Sequence, residues 1–352
     1  MFSSQQDTAV VILSYNSLEW HRLFLPLIVS ESTGKYDVVV VDHNSTDNTA
    51  SIVKELFPSV HVIKFHENHG FAWGYATALK QIKAKYYVLL SADFEVTPHW
   101  FEPLHKAMEK DTMLAAIQPK VRYYKDRAYF EYAGAAGGFM DKWGYMFCRG
   151  RVFSELEQDH GQYDQPVEVF WASGGCLMVR AEIYHELGGL DPDLFAHMEE
   201  IDLCWRMKRA GYKIGAIPSS TVFHVGGSVI SYGSPQKTFY NFRNSLVLLL
   251  KNDSSARLSW LLPWRLCLDG LAGLQFLAKG EFKNVWAIVR AHFSFYAGIP
   301  KWYKKRQQNK LLVSNHPNVE GIYHRSIIWD FYIRKHKNFT DLHFPTVPIS
   351  CT

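Results

Sequence analysis

The sequence predicts an α/β fold over its first two thirds and a helical, basic region after it, and three observations carry that reading. Short apolar runs end in polar residues, as buried parallel strands do where they deliver side chains to a site. Helix-length stretches separate those runs. Beyond Asn252 the charge balance reverses: residues 251 to 352 hold 15 Lys and Arg against 6 Asp and Glu, whereas residues 1 to 250 hold 23 against 28.

In chain order, strands are expected at Val10 to Ser14, Val38 to Asp42 and Tyr86 to Asp93, with helices at Trp20 to Ser30, Asn48 to Leu56 and Ala72 to Lys83. Site positions then fall at the strand ends: Ser14, Tyr15 and Asn16, the run from Asp42 through Asn44 to Asp47, and Asp93. No G-x-G-x-x-G loop follows the first strand, which argues against a dinucleotide-dependent dehydrogenase. Asn44 and Asp47 have a second role open to them, capping the helix that starts near Asn48. Later, Trp171 to Cys176 joins an apolar strand, Val167 to Phe170, to a second run, Leu177 to Val179. Its Gly174 and Gly175 permit close backbone approach to a ligand, although a simple bend would use them equally well. Trp171 either stacks on the ring of a ligand or belongs to the core. Tyr132 to Gly150, rich in Gly and aromatic residues, reads as a loop over the site.

The most chemically loaded segment is Glu199-Glu200-Ile201-Asp202. Three carboxylates within four positions repel one another unless a cation or a proton-transfer task offsets the cost. A solvated helix start is the plain reading, since acids favour a helix N-terminus. His224 follows where an apolar strand runs out into Gly226-Gly227, and neutral imidazole at such a place can hold a divalent metal.

Taken in order, Ser14-Tyr15-Asn16, Val41 to Asp47, Asn68-His69-Gly70-Phe71-Ala72-Trp73-Gly74, Asp93, Ala172-Ser173-Gly174-Gly175, the acidic cluster, His224 and Arg243-Asn244 resemble a family 2 glycosyltransferase of the GT-A fold. The likeness is to the bacterial branch with rhamnosyltransferases and galactofuranosyltransferases, and it covers Val10 to about Asn252. It implies a Rossmann-like mixed sheet flanked by helices, a catalytic domain over 1–252 and a helical C-terminal appendage over 253–352. It also implies inverting transfer of a sugar from a nucleoside diphosphate to a glycan or lipid-linked glycan, as in cell-surface polysaccharide synthesis. Glu200 then matches the general base, with Glu199 and Asp202 orienting the site or contacting the acceptor. Ser14, Tyr15, Asn16, Asp42, Asn44, Asn68 and Gly70 match the nucleotide pocket; Trp171, Gly174 and Gly175 the acceptor side; Asp93 and His224 the ligands of Mg2+ or Mn2+. The match is incomplete at Ser91-Ala92, where the fullest form carries an earlier carboxylate, and at Ala76. Glu95 either assists Asp93 or is a surface acid, and Arg206 is placed for a helical ion pair with Asp202.

Five cysteines, Cys148, Cys176, Cys204, Cys267 and Cys351, form no C-x-x-C spacing, which points to reduced thiols in a cytosolic setting and no structural zinc. Met1 to Asp7 lacks the basic start and apolar core of a secretory signal. Leu258 to Ala278 is apolar but interrupted by Pro263, Arg265 and Asp269, a poor spanning helix. Phe282, Val285, Trp286, Val289, Phe293 and Tyr296 form one helical stripe, followed by Lys301, Lys304, Lys305, Arg306 and Lys310. That pairing suits peripheral attachment to an anionic membrane surface at the cytoplasmic face; packing on the catalytic domain or a partner is the other reading. No nucleic-acid recognition module accompanies the basic stretch, and nothing in the sequence sets an oligomeric state. Two other classes stay open: a nucleotidyltransferase, which would want a glycine-rich basic loop after the first strand, and a catalytically impaired sugar-nucleotide-binding or scaffold protein.

Overall fold

The computed structural model describes residues 2–226 and 233–350. The chain alternates β1 (Thr8–Ser14), α1 (Leu18–Ser30), β2 (Asp37–His43), α2 (Thr49–Leu56), β3 (His61–Phe65), α3 (Phe71–Ala78) and β4 (Tyr86–Ser91). β5 (Phe94–Val96), α4 (Phe101–Lys110), β6 (Leu114–Tyr123), β7 (Gly138–Asp141), β8 (Met146–Cys148), β9 (Val167–Glu168) and β10 (Cys176–Arg180) follow. Then come α5 (Ala181–Glu186), α6 (Glu199–Arg209), β11 (Lys213–His224), α7 (Pro235–Asn252), α8 (Ser255–Ala278), α9 (Phe282–Ala297), α10 (Ile299–Lys310), β12 (Ile322–Tyr323) and α11 (Ile327–Tyr332).

The main sheet runs β9-β11-β6-β10-β4-β1-β2-β3, with β5 paired to β11. β4, β1, β2 and β3 are parallel, whereas β10 is antiparallel to both β4 and β6, so the sheet is mixed. The interior strands carry near-continuous Val, Ile and Leu because both faces are covered: Ala9 to Ile12 and Val38 to Val41 are all buried. Strand order reverses at β1, which lies between β2 and β4, and a crevice forms there beyond the strand ends.

The expected elements of the first half appear with small shifts. The helix expected to reach Lys83 closes at Ala78, passes through a 3-10 turn at Leu79–Gln81, and ends as a short strand at Ile82–Lys83. The segment from Tyr132 to Gly150 is not a loop over the site. β7 and β8 pair within it as an antiparallel hairpin whose Phe139, Met140, Phe147 and Cys148 are buried, and the expectation of a mobile cover is corrected.

Chain after α10 returns to the catalytic body instead of extending the helical region. β12 pairs in parallel with β7, the Glu168 amide donates to the Val347 carbonyl at 2.8 Å, and Ile349 packs among the core residues behind the sheet. Cys148, Cys176 and Cys204 are buried and Cys267 is exposed; Cys351 and the Gly227 end of the expected loop lie outside the described residues.

Candidate active site

A cleft of about 470 Å³ opens at the strand ends. The first half of the sheet lines it with Leu13, Tyr15, Ser17, Trp20, His43, Asn68 and Gly70; the second half adds Asp93, Ser173, Gly174, Gly175, Glu199, Glu200, His224 and Lys237. Tyr15, Asn68, Gly70, Asp93, Gly174, Gly175, Glu199, Glu200 and His224 are therefore brought together as the sequence suggested.

Asp93 follows β4 by two residues, and His224 is the last residue of β11. His224 Nε2 lies 3.2 Å from Asp93 Oδ2, and its Nδ1 lies 3.2 Å from Glu131 Oε1. The ring stacks on Phe94 at 4.2 Å between centroids. Burial works against the imidazolium, but Glu131 and Asp93 together outweigh it and raise the pKa to about 10. A carboxylate and an imidazole 3.2 Å apart, with a second carboxylate behind the ring, fit a divalent cation that takes the place of the proton on Nε2. Glu131 was not legible in the sequence, because it lies far from both partners in the chain and carries no motif.

Glu199 and Glu200 open α6. The segment before them is left-handed at three non-glycine positions: Phe195 at φ 67°, His197 at 66° and Met198 at 70°. Asn244 of α7 holds that segment by donating from Nδ2 to the carbonyls of Leu194 (3.1 Å), Ala196 (3.0 Å) and His197 (2.6 Å). Arg243 donates beside it to the carbonyls of Asp193 and Leu194. Glu199 is buried and Glu200 partly buried, and an Oε2 of each has no hydrogen-bond partner among the described residues. Burial raises both carboxyls, Glu199 well above the usual carboxylate range with help from the Glu200 charge. Glu200 rises to about 7, restrained by backbone N–H groups at the helix start and by Gly174. A Cβ on Gly174 would come within 3.2 Å of Glu200 Cβ, so this glycine makes room for the carboxylate beside it. At Gly70, with φ 93°, a Cβ would sit 2.5 Å from the Phe195 ring.

Other expected site residues stand elsewhere. Ser14 is buried, with Oγ 2.9 Å from His21 Nε2. Asn16 Oδ1 accepts from the Thr46 amide at 2.8 Å, tying the loop after β1 to the loop after β2. Asp47 caps the starts of two helices, accepting from the amides of Leu18 in α1 (3.0 Å) and Thr49 in α2 (3.1 Å). Asn44 is exposed with φ 63°, and it does not line the cleft. Asp42 is buried at the end of β2 beside the cleft residue His43, and its Oδ1 has no hydrogen-bond partner among the described residues. Trp171 is a core residue, buried and donating from Nε1 to the Phe139 carbonyl at 3.1 Å, so the sugar-stacking role is corrected. Glu95 is a surface acid 2.6 Å from Arg127.

Asp202 is likewise corrected. It turns away from the cleft into a fully buried cluster with Arg206 (3.0 Å), Lys251 (2.8 Å) and Asn252 (2.8 Å). The basic run of α10 joins the same cluster. Lys305 and Lys301 pair with Asp193, Lys305 also contacts Asp191, and Arg306 donates to the carbonyls of Leu250 and Asp253. Only Lys304 and Lys310 of the five remain exposed and without an ion pair to the body.

His43, within the run the sequence marked as a strand-end site, also faces the cleft, as do His197 and Lys237, which were missed. His43 accepts from the His69 amide at 3.2 Å and stacks on Trp73, and burial holds its pKa down at about 4, so it is neutral.

The N-acetylglucosaminyl-diphospho-decaprenol L-rhamnosyltransferase of Mycobacterium tuberculosis is 23% identical over 231 residues, covering 61% of this chain and 75% of its own. An inactive polypeptide N-acetylgalactosaminyltransferase-like protein 5 from Macaca fascicularis is 24% identical over 237 residues, 64% of this chain and 53% of its own. The crystal structure of GalNAc-T7 with UDP, GalNAc and Mn2+ superposes with a TM-score of 0.56 at 16% identity, over 94% of this chain and 57% of that one, which shows the fold. The family described as Glycosyl transferase family 2 matches residues 9–188, just over half of the chain. On that match and this GT-A architecture, the chain belongs to glycosyl transferase family 2.

Proposed function

We propose that the protein is an inverting glycosyltransferase that moves a sugar from a nucleoside-diphosphate donor to a glycan or lipid-linked glycan acceptor. The observation that carries this reading is the convergence of Asp93, His224 and Glu200, from three distant parts of the chain, on one cleft. In the proposed reaction Glu200 takes the proton of the acceptor hydroxyl as its oxygen attacks the anomeric carbon, and the nucleoside diphosphate leaves from the opposite face. A carboxyl poised near neutrality suits that task, since it is ionised at working pH yet basic enough to accept a proton. Glu199, more strongly protonated, keeps the adjacent charge low. Asp93 and His224 would hold Mg2+ or Mn2+, which supplies positive charge against the diphosphate. Glu131 fixes the His224 ring. The unpartnered Oδ1 of Asp42, with Tyr15 and Asn68, supports a nucleoside subsite beside β1 and β2.

The named mycobacterial relative acts on a diphospho-decaprenol acceptor, which supports a lipid-linked substrate and a peripheral place at the cytoplasmic membrane face. The inactive relative favours one second reading, a sugar-nucleotide-binding protein without turnover. A donor screen separates them. UDP-, GDP- and dTDP-sugars are added with Mn2+ while melting is followed, since a bound donor stabilises the fold by mass action. Product stereochemistry is then read by NMR. Stabilisation by one donor class with slow turnover and an inverted anomer supports the transferase. Stabilisation with no hydrolysis and no transfer to any acceptor supports the binding protein.

A further inference from the structure

The helices α8 and α9 carry their polarity inside out. Arg265 and Asp269 of α8 are 2% and 1% exposed, on the side that faces the body. Arg265 donates to the carbonyls of Trp143 and Gly144 and to Ser245 Oγ, and Asp269 lies 3.0 Å from His292 of α9. The opposite side of α8 presents Trp260, Trp264, Leu271 and Leu274 to solvent, and between Ser259 and Ala278 no charged residue is exposed. On α9, Phe282, Trp286 and Phe293 are 68%, 61% and 67% exposed. A helix packed on a body in water turns its apolar stripe inward; the reversed arrangement implies that this face meets something other than water.

Charge selects the occupant. The turn between the helices exposes Lys279 and Lys283, and Arg290, Lys304 and Lys310 are exposed further along, against the single exposed acid Glu281. A second copy docked about a two-fold axis would set like charges against like. Anionic lipid headgroups complement them, and Trp side chains suit the boundary between headgroup and acyl chain. Among the described residues no helix is long and apolar enough to cross a membrane.

We propose that the outer face of the α8–α9 hairpin is a monotopic docking surface that lies in the interface of a bilayer bearing anionic lipid. This deepens the transferase reading, on which it rests only for its purpose. α7, which packs against α9, also lines the cleft through Gln236 and Lys237, so a lipid-linked acceptor would be presented one helix layer away. The inward-turned Lys305 and Arg306 take no part; insertion of apolar surface does the work, and the rim lysines add to it.

Flotation of the full chain with phosphatidylcholine vesicles, with and without phosphatidylglycerol, tests this at about 0.1 and about 0.5 M NaCl. The wild type is expected to float with anionic vesicles and to stay bound at the higher salt. Trp260→Ser, Leu271→Ser, Leu274→Ser, Trp286→Ser and Phe293→Ser together should weaken binding about tenfold or more, with melting and transfer to a soluble acceptor analogue kept. Should that variant not fold, Lys279→Gln with Lys283→Gln must weaken binding at low salt alone. Wild type left unfloated, or a serine variant that floats equally, overturns the proposal. So does a concentration-dependent dimer in sedimentation velocity that the serine variant abolishes, which would assign the face to a second copy. Flotation is read without turnover, so failure of the transferase reading leaves a separate signature.

Discussion

Asn244 Nδ2 lies 2.6 Å from the carbonyl oxygen of His197. That contact ties α7 to the left-handed segment from which α6 starts, and so to the place of Glu200. Left-handed backbone at Phe195, His197 and Met198 costs on the order of 1 kcal/mol or more at each position and persists only when its surroundings hold it. Asn244→Ala removes the clamp from three carbonyls. We expect kcat to fall about tenfold to a hundredfold with donor affinity changed only a few-fold, because near-attack geometry is lost while the donor pocket stands. Equal loss of kcat and donor binding in steady-state kinetics and calorimetry would refute this positioning role.

Glu200→Gln keeps the shape and removes the proton acceptor. Transfer is expected to fall roughly 100-fold to 10,000-fold, with donor binding nearly intact by titration calorimetry. Turnover within a few-fold of wild type would strip Glu200 of the role of base.

The pH dependence has a defined sign. Glu200 is raised from an ordinary value of 4.5 to about 7, so transfer should climb as pH rises through about 7 and Glu200 ionises. The same shift makes ionisation cost stability: the folded state holds its proton more tightly than the unfolded one between those values, and the penalty is fully present above about 7. Glu200→Gln should therefore melt higher than wild type at pH 8 and close to it at pH 5. A pH-independent difference in melting would be inconsistent with a buried, raised carboxyl.

Asp93→Asn and His224→Ala should each weaken Mn2+-dependent binding of nucleoside diphosphate about tenfold to a hundredfold, and chelator should mimic them in wild type. Full transfer in excess EDTA would leave the Asp93–His224–Glu131 triad as a structural ion network.

Sequence alone reached the strand ends well, because apolar runs and their polar stops are local signals. It placed Asp93, Glu200 and His224 through motif spacing. It could not tell which way a side chain turns. Asp202 stands two residues after Glu200 on α6, so the two point to opposite sides of the helix, and Asp202 faces Lys251 of α7 while Glu200 meets the cleft. Trp171 next to Gly174 was ambiguous for the same reason. The α10 basic run was read as meeting an anionic surface because the partners of Lys301 and Lys305, Asp191 and Asp193, lie more than 100 residues away.

That buried cluster yields a stability prediction. Lys251→Met removes the cation shared by Asp191 and Asp202, leaving Asp191 with Lys305 and Asp202 with Arg206, and should cost up to about 3–5 kcal/mol in chemical denaturation. Both carboxyls are held below their ordinary value of 3.8 by the lysines despite burial. Wild type should thus lose this stability only as pH falls below about 4. A loss under about 1 kcal/mol would mean that water reaches the cluster and screens it.

The strand pairing of Val347 to Ile349 with the edge at Pro166 to Glu168 has a consequence for synthesis. A ribosome releases the chain from its N-terminus, and this sheet edge stays open until Val347 to Ile349 have emerged. β9, paired on its inner side with β11, therefore passes some 180 residues of translation with its outer edge unmatched. During that interval the nascent chain is a template for the edge of another, and Val347 to Ile349, once made, act as its own internal chaperone.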